Sequence, residues 1–349
     1  MLMSTGTTDP SVELTTRRIL GMAMQRAPRH PRVLLYAAFA AHYFDKNRTA
    51  AESLITTALS LDRNSATTLA WASNLLQWWY PDSARALALR AAQLDPRSSA
   101  IAFIAADRSI RNSRWSDAQR FGDAILAIDS TDERGWFTLT SAYLLQGDSI
   151  ALERVSRRVL RHVNKPSGWV TCNIAFGSRE MSGWVLGLSA TEQRVSSLSD
   201  SIYYYDCKVD AALRIKGAAH ARVFSDSIIG LLPPRRTASM RRVAWYPDAM
   251  LALAYAYAVV GRPAEAVALT KSVTESDLQS NAAQTVGLVF TAHKAATVYA
   301  QVGDTARAMR WLKLGLTQGY TINFYKIDPR LRPLHGTAIF KRFVGETGR

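Results

Sequence analysis

Cysteine is nearly absent. Two residues in 349 cannot build a disulfide scaffold, nor a four-thiolate zinc or iron–sulfur site. Long apolar runs are missing as well. The longest, Ala249 to Val260, spans 12 residues, short of the roughly 20 that carry a helix across a bilayer. The amino terminus, MLMSTGTTDP, lacks the basic start and the apolar stretch of about 7–15 residues that mark a secretory leader, so none is expected. With 19 glycines and 12 prolines the chain is too poor in both to be fibrous, and at 48% apolar residues it is too hydrophobic to be disordered. Lysine is scarce too, with nine residues against 34 arginines.

What the chain has is length and positive charge. More than about 250–300 residues implies several domains or a repeat array. A formal net charge of +15 implies attraction to acidic partners, set against the alternative of arginines lining solvated helix faces. The charge is densest where Arg154, Arg157, Arg158, Arg161 and Lys165 recur at three- and four-residue steps, which places them on one helix face. A second patch is Arg235, Arg236, Arg241 and Arg242 beside Pro233-Pro234. Neither is interleaved with the aromatics that stack single-stranded bases.

Self-similarity decides the architecture. Ala58-Leu-Ser-Leu-Asp62, Ala91-Ala-Gln-Leu-Asp95, Ile125-Leu-Ala-Ile-Asp129 and Val159-Leu-Arg-His-Val163 share one design, at spacings of 33, 34 and 34 residues. Each ends an amphipathic helix at a turn of Asp, Pro, Ser or Asn, and a further helix-forming stretch follows. Another helix lies upstream in each unit, clearest in Trp136, Leu139 and Tyr143 followed by the stop Gly147-Asp148. Two helices per 34 residues predict an all-α chain of repeated helical hairpins.

Trp136, Leu139, Tyr143 and Gly147, with Trp115 and Ala118, and with Ala84, Ala91 and Pro96, make the chain resemble the tetratricopeptide repeat family. It departs from that pattern at Ala88, where the family carries a larger apolar residue. The resemblance implies an α-solenoid of tetratricopeptide-like hairpins that binds protein rather than performing chemistry. On it, residues 1–30 read as an N-terminal half-repeat or cap helix and 31–165 as tetratricopeptide-like units. Residues 166–243 read as an irregular helical segment, 244–325 as two further units and 326–349 as C-terminal capping helices. The opening half-hairpin is either a cap or the remainder of a longer protein. From about 184 to 343, the runs Arg222-Val-Phe-Ser-Asp, Ala252-Leu-Ala-Tyr-Ala-Tyr, Tyr299-Ala-Gln-Val-Gly-Asp and Asp328-Pro-Arg-Leu-Arg-Pro look like the repeat region of bacterial proteins. Those proteins join a serine/threonine kinase or a winged-helix regulator to such repeats. That resemblance implies a regulatory docking region. The kinase itself does not carry over, since no glycine-rich loop, Val-Ala-x-Lys, His-Arg-Asp or Asp-Phe-Gly occurs.

The chemical motifs are few. The six histidines form no His-x-x-x-His pair, and no Gly-x-Ser-x-Gly elbow, phosphate loop or paired carboxylate stands out. Cys172 and Cys207 read as buried small apolar residues. No catalytic residue, metal site or cofactor is expected, and no small-molecule substrate. Arg235-Arg-Thr-Ala-Ser239 has the look of a basophilic phosphorylation site. In the repeat register the first helices present Tyr36, Leu69, Phe103 and Phe137 at one position and Ala40, Ser73, Asp107 and Ser141 at another, with Arg111 and Arg134 available to pair with an acid. An apolar-aromatic groove of this kind fits an extended or helical peptide, set against the alternative that aromatics such as Tyr36 and Phe137 pack against the second helix of the adjoining unit. Lys and Asn, which clamp the acidic tails of heat-shock chaperones in related repeats, are absent from these points. Trp71, Trp78, Trp79, Trp115, Trp136 and Trp311 read as core. The expected partner is a protein or peptide. The alternative is an anionic partner, nucleic acid or another polyanion, on the Arg154–Lys165 face.

Overall fold

A computed structural model describes residues 10–45, 47–77, 79–189, 195, 197–234, 237, 246–279, 288–317 and 320–346. The second basic patch, the Arg235–Ser239 string apart from Thr237, and Trp78 lie outside the described residues. All regular structure among the described residues is helical, as the 34-residue period predicts. The chain divides into two units, one ending at Ile128 and the other beginning at Asp129.

In the first unit, α1 (Pro10–Arg26) precedes three hairpins: α2 (Pro31–Tyr43) with α3 (Arg48–Leu61), α4 (Ala66–Leu76) with α5 (Pro81–Leu94), and α6 (Ser99–Arg111) with α7 (Trp115–Ile128). Side-chain caps begin the helices. Asn47, Ser65 and Ser98 each accept a backbone N–H three residues on, and Pro31 and Pro81 occupy first turns where their missing N–H is not needed. The helices approach closely because alanine lies at the crossings. Ala38, Ala51, Ala58, Ala84, Ala88 and Ala91 are fully buried, and nothing larger than a Cβ fits there. Around them Leu34, Leu35, Ile55 and Leu75 form one apolar cluster, and Leu69, Ile101 and Ala105 another. Polar contacts one repeat apart tie the hairpins together, such as Arg85 to Asp117 at 2.6 Å and Arg108 to Asn74 at 3.2 Å.

The second unit continues with α8 (Glu133–Gln146) and α9 (Ser149–His162), then the shortened pair α10 (Gly168–Ala175) and α11 (Arg179–Gly187), then α12 (Leu198–Ile215) and α13 (Ala218–Leu231). Two more hairpins follow, α14 (Tyr246–Val259) with α15 (Pro263–Gln279) and α16 (Leu288–Gln301) with α17 (Thr305–Leu316). Three of these hairpins turn in the same way. Gly147, Gly261 and Gly303 have φ of 73°, 88° and 83°. In each, the glycine N–H and the next N–H donate back to the last turn of the first helix, the αL helix stop that only glycine adopts without strain. Among the described residues between 166 and 243, α10 pairs with α11 and α12 with α13.

The chain then turns back. After α17 come α18 (Ile322–Ile327), a 3₁₀ turn (Pro329–Leu331), α19 (Arg332–His335) and α20 (Ala338–Glu346). Residues 321–332 reach beyond the preceding hairpin and lie against earlier first helices of this unit. The Thr321 hydroxyl donates to Leu145 O on α8. Asn323 packs directly on Gly147, where a Cβ would overlap its backbone. Phe324 lies 6.2 Å from the ring of Phe176 after α10, and Arg330 enters between Asp206 and Asp210 of α12.

Candidate functional site

On the first unit, Tyr36 of α2 is 49% exposed, and its ring centroid lies 6.1 Å from that of Trp71 on α4. With Arg32, Leu35 and Thr67 they line a pocket of about 190 Å³ between the first helices of neighbouring hairpins. Trp71, read from its spacing as a core residue, packs against the apolar cluster of α2 and α3 and also reaches this surface, whereas Trp136 is buried at 1% exposure. Leu69 is 2% exposed and packs with Ala70, Ala91 and Ile101. It shares the α4 helix with Trp71 but faces the core, because two residues along a helix turn the side chain through about 200°. Phe103 is half-buried on α6. Asp107 is already engaged, at 2.7 Å from Arg108 and 3.0 Å from Arg111. Burial pushes its carboxyl up, but Arg111 and Arg108 outweigh that and hold it below the usual carboxylate range. Burial in turn lowers Arg108 to about 10.

Arg134 and Phe137 belong to the second unit. Arg134 donates to the Asp132 carboxylate at 2.6 Å in the first turn of α8, and Phe137 is half-buried. The first-helix side of this unit carries the returning segment. Arg330 is 5% exposed. Its Nη2 lies 2.7 Å from Asp206 Oδ1 and 3.1 Å from Asp210 Oδ2, its Nε donates to Asp210, and its guanidinium lies 4.5 Å from the centre of the Tyr255 ring. Beside it, Lys294 stands 3.5 Å from Asp248, and His293 2.5 Å from Asp328. Burial raises Asp210 to about 7, with the charge of Asp206 adding to the shift against the pull of Arg330. Asp206, also subject to burial, is held low by Arg330 and Lys294.

The basic face of α9 is partly neutralised. Arg157 bridges Glu153 at 2.8 Å and Glu180 at 2.6 Å, and Arg158 lies over the Trp136 ring at 5.3 Å. Arg154, Arg161 and Lys165 make no ion pair among the described residues.

The cysteines correct the sequence reading. Cys172 on α10 and Cys207 on α12 are joined as a disulfide, with Cα atoms 4.9 Å apart, a separation that suits the bond. They lie 35 residues apart, so one repeat brings them to equivalent places on consecutive first helices. Arg179 and Arg214 show the same interval, the Arg179 Nη1 reaching Arg214 O at 3.5 Å. That spacing was the available signal for both pairs. The Arg330–Asp206 pairing, across 124 residues, had no local signal. Among the described residues no group of three His, Cys, Asp or Glu could hold a metal, and no helix is long and apolar enough to cross a membrane.

No family model and no curated protein matches the chain. Among solved structures it is similar to one described as Naa15/Naa10 bound to HypK-THB, at 14% identity over 98% of this chain and 62% of that one, with a TM-score of 0.33. It is also similar to the TPR domain of P58(IPK), at 14% identity over 84% of this chain and 92% of that one, with a TM-score of 0.22. The chain therefore spans about three fifths of the first protein's length. Likeness at these scores carries no argument, and the fold rests on the helices' own packing.

Proposed function

We propose that the protein is a non-catalytic scaffold of tetratricopeptide-like hairpins that binds a partner peptide on the first-helix side of its first unit. The observation that carries this is the pocket between α2 and α4, where a half-exposed Tyr36 stands beside Trp71 and Arg32. Large aromatics beside an arginine are the side chains that dominate binding energy at protein interfaces. An extended or helical segment with an apolar anchor and an acidic neighbour fits this chemistry. The likeness of 184–343 to repeats joined to bacterial kinases and regulators makes a regulatory docking role its natural setting. The polyanion reading of α9 is weakened because Arg157 is already paired with two glutamates.

The test is selection of peptides from a display library on the full chain, followed by affinity measurement on Tyr36→Ala and Trp71→Ala. Loss of the anchor pocket should weaken binding at least about tenfold, the scale of an interface hot spot. Selected peptides that bind both variants as well as the parent would refute this placement of the site.

A further inference from the structure

One cluster of charge in the second unit lies apart from the pocket between α2 and α4 in the first. A cleft of about 300 Å³ is lined by Arg179, Arg214, Lys326 and Arg332, with Ser149, Ile327, Asp328 and His335. The repeat register builds it. Ser149 and Arg179 are the first residues of α9 and α11, and Arg214 lies in the last turn of α12. All three sit where the two helices of a hairpin turn into each other. The returning segment, crossing that row of turns, adds Lys326 from α18 and Arg332 from α19.

Four cations converge here, and among the described residues no carboxylate forms an ion pair with any of them. Arg332 donates to Leu213 O at 2.6 Å and to Arg214 O at 3.4 Å, and Arg179 also reaches Arg214 O. These bonds cap the carbonyl end of α12. Such a helix end supplies about half a negative charge, far less than four cations bring. The carboxylate on the wall is committed elsewhere, since Asp328 accepts from His293 at 2.5 Å and from the Arg330 N–H at 2.8 Å. His335 is turned toward Tyr325 O at 3.2 Å. The side chains of Arg214 and Lys326 make no hydrogen bond or ion pair among the described residues. Burial, then Arg332 and Arg179, depress the Arg214 pKa, so the guanidiniums repel one another as the fold holds them.

We propose that this cleft binds an anion carrying two or more phosphoryl groups. Guanidinium forks match phosphate oxygens two at a time, and a single carboxylate offers neither the oxygens nor the charge to satisfy four cations. One phosphate monoester carries about −1.5 to −2, so two are needed to balance the site. The cleft volume is at the small end of ligand pockets, the size of an oligophosphate or a bisphosphorylated headgroup.

The test is calorimetric titration of the full chain with sodium pyrophosphate and, separately, orthophosphate. Saturable binding of pyrophosphate, tighter than that of orthophosphate, is the expected result. The double variant Arg214→Gln/Lys326→Gln leaves the Arg332 braces in place and should weaken it at least about tenfold. Arg154→Gln/Arg161→Gln removes the same charge from α9 and should leave it unchanged. Sedimentation with phosphatidylcholine vesicles, with and without a phosphoinositide bisphosphate, separates the sources. Vesicle binding lost in the cleft variant assigns a lipid headgroup; pyrophosphate binding without vesicle binding assigns a free oligophosphate. Absence of saturable pyrophosphate binding, or equal loss in both double variants, overturns the proposal.

Discussion

At the scale of single residues, the buried centre around Arg330 is where charge governs stability. Asp206 and Asp210 face the same guanidinium, but burial and the neighbouring carboxylate leave Asp210 at about 7 in the folded chain, against an ordinary 3.8. A raised carboxyl pKa means that the folded state holds a proton the unfolded chain has released. Its contribution is complete below about 4 and is lost as pH rises toward 7. Asp210→Asn mimics the protonated form at every pH. The urea-unfolding difference between parent and variant should therefore shift in favour of the variant between about pH 4 and 7, and level off above. A difference that stays flat across this window would show that Arg330 keeps Asp210 ionised. Asp206 and Asp328, held low, act in the opposite sense and lose their contribution as pH falls below the ordinary carboxylate range.

At the scale of elements, three hairpin turns share a glycine stop, and one of them has acquired a second task. Gly303 has open space where a Cβ would go, whereas a Cβ on Gly147 would strike Asn323. Gly303→Ala should cost about 1–2 kcal/mol, the strain of a left-handed alanine. Gly147→Ala should cost more, and should release residues 321–332 to protease while the hairpins stay helical. Equal losses with no gain in cleavage would mean that Asn323 yields freely. The hairpins themselves were legible in sequence, because alanine crossings and Ser and Asp caps are local and recur every 33 or 34 residues, and glycine stops mark three of the turns. The period blurred after Pro166 because α10 and α11 are short. There Cys172–Cys207 and Arg179–Arg214 carry it across the short pair. Tyr36 is half-exposed, Leu69 at the same register position turns into the core, and Trp71 packs on the core cluster with an edge on the pocket, because a repeat register names a helix position more reliably than the direction of its side chain. The returning segment could not be read, since its partners are chosen by tertiary packing.

At the scale of the molecule, the first unit behaves as stacked repeats do, each hairpin leaning on the next. The second unit is fastened at a distance by Arg330. Arg330→Gln would leave Asp206 buried opposite a neutral side chain, and breaking such a pair costs about 3–5 kcal/mol. Chemical denaturation should show the loss in the second unit, with the helices of the first unaffected. A loss below about 1 kcal/mol would mean that the segment is held by Phe324, Thr321 and their neighbours alone. The same fastening sets a folding order. Thr321 meets Leu145 across 176 residues and Arg330 meets Asp206 across 124, in a chain whose other contacts mostly close over one repeat. Contacts that distant form late and slow the step that makes them. During synthesis the first unit can finish early, while α8 to α12 wait with an aromatic and acidic face uncovered until residues 321–332 arrive. For that interval the segment and its cradle are a complementary pair in search of each other, and on neighbouring chains made at the same time they are as well matched as on one. Exchange of the segment between copies is the hazard, or the opportunity, that this topology creates.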